Sequence, residues 1–128
     1  MKYYFSKTVT LPFDDAIEKV MAELKKEGFG VLTDIDVKQT LKKKLDVDFK
    51  KYRILGACNP SLAYKALQAE DKIGTMLPCN VIVQEIDEGR VEVAAIDPVA
   101  SMQAVSNPAL KDVAEKIQAK LKKVIENI

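Results

Sequence analysis

Two cysteines, Cys58 and Cys79, carry the only thiols of a 128-residue chain that has no histidine, and an asparagine follows each of them. A thiol acts as nucleophile or metal ligand through its thiolate, so its surroundings decide its chemistry. Cys58 stands just before Asn59-Pro60, an N-cap residue with proline at the first helical position. The unbonded N–H groups and the dipole of such a helix start lower the pKa of a neighbouring thiol. The N–H groups of Ser61 and Leu62, with the amides of Asn59 and Asn80, suit an anion such as a carboxylate, a phosphate or an oxidised sulfur species. Packing competes with reactivity as the explanation. Free cysteine is among the most buried residue types, and Ala57 and Pro78 beside the two thiols suit a packed strand end.

A second group of residues belongs to the same edge. If the strands carrying the cysteines pair antiparallel, the thiols become neighbours, and Asp97 at the end of the next strand falls near Cys79 and Asn80. A turn aspartate before proline is the plainer explanation of Asp97. Two thiolates without histidine leave a tetrahedral zinc site two ligands short, so no metal is assigned. Were a soft ion such as copper(I) held, Cys58, Cys79 and Met76 would hold it. Gly74-Thr75-Met76-Leu77-Pro78 reads as the lip of a pocket or as ordinary loop packing. The chain has no glycine-rich phosphate loop, nucleophile elbow or His-dependent triad, so no cofactor is implied and no reaction is assigned.

The elements that must position these residues follow from periodicity. Tyr3, Phe5 and Val9 alternate with Tyr4, Ser6 and Thr8, giving a strand over 2–10. From Pro12, the stripe Phe13, Ile17, Val20, Met21 and Leu24 predicts a helix that ends at Gly28. Residues 30–35 form a second strand, and Asp36 with Gln39 starts a short, exposed helix. Residues 52–57 form a third strand, and the helix opened by Asn59 dissolves near Glu70. Two strands, marked by Val81, Val83, Ile86 and by Val91, Val93, Ile96, are joined at Asp87-Glu88-Gly89 as a hairpin. Asn107-Pro108 opens a closing helix with the stripe Leu110, Val113, Ala114, Ile117, Leu121, Val124, Ile125 and Ile128. The order β-α-β-(short α)-β-α-β-β-α specifies an α+β two-layer sandwich, a largely antiparallel sheet with helices on one face. Without repeat, linker or low-complexity segment, residues 1–128 read as one domain.

Composition narrows the function classes. Apolar residues make up 48% and charged residues 30%, the profile of an ordinary globular chain. The net charge of +1 provides no field to gather nucleic acid or anionic lipid, and neither is expected as a partner. The one basic cluster, Lys42 to Lys44 with Lys50, Lys51 and Arg53, is interrupted by Asp46 and Asp48 and reads as a solvated face. Ser6, Lys7, Thr8, Asp14 and Asp15 break any leader or membrane span near the N-terminus, and two cysteines are too few for a secreted disulfide framework, so a cytoplasmic location is expected. Ile54 with Leu55, Val81 with Ile82 and Val93 with Ala94 put apolar residues on both faces of the sheet, which predicts a homodimer covering the second face.

Tyr52-Arg53-Ile54-Leu55-Gly56-Ala57-Cys58-Asn59-Pro60, Ile73-Gly74-Thr75-Met76-Leu77-Pro78-Cys79-Asn80 and Ala95-Ile96-Asp97-Pro98 together resemble the bacterial and archaeal family known as domain of unknown function 302. Gly28 to Thr33 with Asp36-Val37 is similar to that family's second strand. The resemblance spans nearly the whole chain and implies a two-layer fold like that of the TATA-binding protein, without implying DNA binding. It marks Cys58, Asn59, Pro60, Cys79, Asn80, Asp97 and Pro98 as pattern residues and gives none of them a catalytic role. Some relatives are associated with sulfur-metabolism proteins. The sequence therefore points first to a thiol-dependent binding or redox domain for a small anionic or sulfur-containing ligand, at Cys58, Asn59, Ser61, Cys79, Asn80 and Asp97. A non-catalytic homodimeric interaction module is the alternative, and soft-metal binding a further one.

Overall fold

The computed structural model describes residues 2–128, which build one five-stranded sheet in the order β1-β5-β4-β3-β2 with every neighbouring pair antiparallel. The strands are β1 (Tyr4–Val9), β2 (Gly30–Asp36), β3 (Tyr52–Cys58), β4 (Cys79–Asp87) and β5 (Arg90–Ile96). The helices are α1 (Phe13–Lys26), α2 (Val37–Leu45), α3 (Pro60–Ala69), α4 (Pro98–Ser101) and α5 (Pro108–Glu126). Strands β2 to β5 run as a meander, and β1 closes the far side against β5. The α+β sandwich expected from the sequence is the observed architecture.

Strand alternation creates the core. Leu55 and Ala57 of β3, Val81 and Val83 of β4, and Val91, Val93 and Ala95 of β5 point to one side, where they meet Val20 and Leu24 of α1 and Leu121 and Val124 of α5. All are buried, and each such Leu or Val contributes about 1.5–3 kcal/mol relative to exposure. The intervening positions, Tyr52, Ile54, Ile82 and Ala94, turn to the outer face. Tyr52, Ile54 and Ile82 are half-buried there, and Ala94 is buried. Helix α2 is a different case: none of its residues is buried.

Three local features depart from the sequence reading or refine it. Residues Asp71–Met76, read as loop, form a 3-10 turn pinned by the buried Ile73. Asp97-Pro98 does more than end β5, because the Asp97 carboxylate accepts from Val99 N at 3.0 Å and Ala100 N at 3.4 Å and so starts the four-residue α4. Strand β2 carries a bulge between Val31 and Thr33, which leaves Leu32 outside the regular pairing and 69% exposed. Helix α1 ends as read: Gly28 takes φ +85°, a left-handed conformation that favours glycine, directly after the C-cap residue Glu27.

Candidate functional site

Strand β3 ends at Cys58 and β4 begins at Cys79, and the β3–β4 register sets Ala57 opposite Cys79. That pairing brings both thiols to one end of the sheet. They line one pocket of about 220 Å³, walled mainly by Phe29, Leu32, Leu77, Pro78 and Ile117, with Asn59 at its edge. Cys79 is buried and Cys58 half-buried, and both are free thiols. Burial, with a smaller contribution from the charge of Cys58, pushes the Cys79 thiol up to about 11. Cys79 is therefore protonated at neutral pH, and its surroundings disfavour negative charge. Cys58 is the thiol that solvent reaches.

Asn59 uses its amide within the fold. Its Oδ1 accepts from Leu62 N at 3.4 Å and from Ser61 Oγ at 3.2 Å, while its Nδ2 donates to Glu27 O at 3.3 Å. One side chain thus caps α3 and fastens it to the end of α1. Gly28 leaves room for this clasp, since a Cβ there would stand 3.2 Å from Asn59 Nδ2. Ser61 is exposed and borders a separate shallow depression beside Lys26 and Lys120.

The two Cys-Asn pairs part company at β4. Cys79 turns inward, so by strand alternation Asn80 turns outward. Asn80 borders a concavity of about 380 Å³ on the outer face, with Tyr3, Tyr4, Tyr52, Gln84 and Glu92. There Gln84 Nε2 donates to Glu92 Oε1 at 2.7 Å, and burial, then the Glu92 carboxylate and Tyr3, raise the Tyr52 pKa above its ordinary value. Asp97 lies outside the thiol pocket's lining: besides capping α4, its carboxylate accepts from Gln118 Nε2 at 3.0 Å. Met76 is 37% exposed and does not line the pocket either. Among the described residues no group of three or more His, Cys, Asp or Glu could hold a metal ion.

The pocket walls were only partly foreseeable. Leu77 and Pro78 fall in the stretch read as a lip, but Phe29 and Ile117 look like ordinary core residues in sequence. Leu32 reaches the pocket from the bulged strand. Gly56 carries a constraint of its own, because a Cβ there would collide with Thr33 Oγ1 and stand 2.7 Å from Pro78 Cγ. Only glycine lets β2 and the pocket's proline wall close over β3.

The sequence pattern of the family described as Domain of unknown function DUF302 matches residues 5–128. A crystal structure of an uncharacterized conserved DUF302 protein from Bacillus stearothermophilus is similar over 99% of this chain and 98% of that one, with a TM-score of 0.91 and 29% sequence identity. No curated protein matches the chain.

Proposed function

Since the chain belongs to the Domain of unknown function DUF302 family, its thiol pocket is a feature to be read within that fold, and we propose that the pocket binds a small, uncharged, sulfur-containing ligand. The observation that carries this reading is that both thiols line one apolar pocket of about 220 Å³. That volume is below the ~300 Å³ at which pockets for drug-sized molecules begin, which favours a small guest. The burial that keeps Cys79 protonated would also penalise an anionic guest. The polarisable sulfur of a ligand suits contact with two thiols and an aromatic wall from Phe29. No bond-making step is assigned to either cysteine. The free thiols fit a reducing, cytoplasmic setting, and among the described residues no helix is long and apolar enough to cross a membrane.

Paired alkylating reagents test the reading. Iodoacetamide and iodoacetate differ chiefly in charge, and each rate is normalised to that of the urea-unfolded chain. The expected result is that Cys58 reacts in the folded protein, that the neutral reagent is favoured at least tenfold over the anionic one, and that Cys79 reacts far more slowly. Two thiols inert to both reagents until the protein unfolds would end the proposal.

A homodimer is a second reading, favoured by a different observation: the outer face presents Ile54, Ile82 and Ala94, and α1 and α5 pack on the other side of the sheet. Sedimentation equilibrium at micromolar concentration decides it, and a mass of one chain throughout would dismiss it.

A further inference from the structure

We propose that residues 37–51 form an arm that docks on the outer sheet face of a second copy of this chain, each copy giving and receiving one arm. The inference rests on the homodimer reading and adds to it which surfaces meet.

The arm consists of α2 and the segment leading to β3. Its nine-residue helix is capped by Asp36, which accepts from Gln39 N at 3.0 Å, but buries no residue. Isolated helices of that length are unstable in water and depend on packing of an apolar side. Val37 and Leu41 are half-buried, and beyond them the arm exposes Leu45 at 66%, Val47 at 43% and Phe49 at 38%. Its ties to its own subunit lie near its two ends, where Thr40 Oγ1 donates to Asp36 O at 2.8 Å, Lys51 O accepts from Glu85 N at 3.0 Å and the Phe49 ring stands 6.1 Å from that of Tyr52. Its other bonds are internal: Lys38 Nζ donates to Phe49 O at 2.7 Å, and Lys42 pairs with Asp46 at 2.9 Å and Asp48 at 3.5 Å. Those ion pairs are solvent-exposed, a class that stabilises little.

The receiving surface has matching shape, area and charge. The outer face bears a concavity between Tyr3, Tyr4 and Tyr52, with Ile82 on its floor, into which apolar side chains such as Leu45 and Phe49 would insert. Five strands of six to nine residues span roughly 24 Å by 20 Å at ordinary strand spacing and rise. With one face and one arm from each copy, at most about 900 Å² per copy would be covered, against the ~800 Å² per partner of a standard stable interface. Among the described residues Glu92 is the only charged side chain lining the concavity. The arm carries Lys38, Lys42, Lys43, Lys44, Lys50 and Lys51 against Asp46 and Asp48. Among the described residues Lys43 and Lys44 make no ion pair. The tyrosines already accept an ammonium, for Lys2 Nζ stands 5.8 Å from the Tyr4 ring centroid. The basic cluster in the sequence, too interrupted for nucleic acid, thereby acquires a use. Two-fold symmetry lets both arms dock at once, so the contact closes as a dimer.

Photo-crosslinking from the arm tests the docking. p-Benzoylphenylalanine replaces Leu45, and chains of natural isotope content are mixed with nitrogen-15 chains before irradiation and peptide mapping. The expected products join light to heavy chains, from the arm to the segments 52–56 and 80–96. In parallel, the L45E/F49E double variant is expected to weaken the dimer at least tenfold by sedimentation while keeping the wild-type circular dichroism, since neither side chain is buried. A dimer whose crosslinks run elsewhere, or one undisturbed by L45E/F49E, would overturn the arm while leaving the homodimer intact. A monomer at 50 µM would overturn both.

Discussion

Raising the pH above 9 should destabilise this protein through one buried thiol. Cys79 titrates at about 11 in the folded state against an ordinary 9.0. Because the folded-state pKa is raised, the contribution of the protonated thiol is fully present below pH 9 and is lost as pH climbs from 9 to 11, where the unfolded chain has released the proton and the folded one still holds it. Two pK units amount to about 2 to 3 kcal/mol, enough to move a urea midpoint by roughly 1 to 2 M for a protein of this size. Lysines and tyrosines titrate in the same range, so the measurement is a difference: urea unfolding of wild type and C79A in half-unit steps from pH 7 to 11. The C79A protein starts lower because it loses packing, and the wild-type stability should fall towards it as pH rises. Thiolate absorbance near 240 nm should show the folded Cys79 titrating late. Parallel stability curves across the whole range would refute the reasoning, because they would mean that Cys79 ionises as easily in the folded chain as in the unfolded one.

Gly56→Ala should cost about 1–3 kcal/mol, the usual penalty for forcing atoms into a filled space, and Thr33→Ala should recover part of it in a double-mutant cycle read by thermal unfolding; additive losses would dissociate the two positions. Asn59→Ala should cost about 1–2 kcal/mol through the lost α3 cap, whereas Asn59→Asp should keep the cap and lose only the bond to Glu27 O. Equal denaturation midpoints for Asn59→Asp and Asn59→Ala would deny the cap that role.

The core and sheet were legible because their signals are periodic. Val81 and Val83, Val91 and Val93, and the α5 stripe from Leu110 to Ile125 announce their partners by spacing alone. The meeting of Cys58 and Cys79 could be inferred too, since antiparallel pairing of β3 with β4 carries the end of one strand to the start of the next. What could not be read was the side to which each polar residue turns. Asparagine is disfavoured at the start of an apolar strand, which places the Asn80 amide at the thiols' edge, but neighbours along a strand face opposite ways. Asn59 reads as a cap and Asp97 as a turn residue, each also a site candidate, and the hydrogen bonds occupy them with helix starts. The bulge in β2 leaves no mark that a two-residue repeat would reveal, so Leu32 could not have been counted among the pocket's walls.

That same irregularity in β2 bears on how the molecule avoids its own kind. A border strand is a row of unclaimed amides and carbonyls that invites another chain to continue the ladder without end. Here the register breaks after Val31, and the carboxylates of Asp34 and Asp36 follow within five residues. An approaching strand would find its hydrogen-bonding rhythm interrupted and then meet carboxylates already engaged, Asp34 with Arg53 and Asp36 with Gln39 N. Filament growth from this border is thereby discouraged.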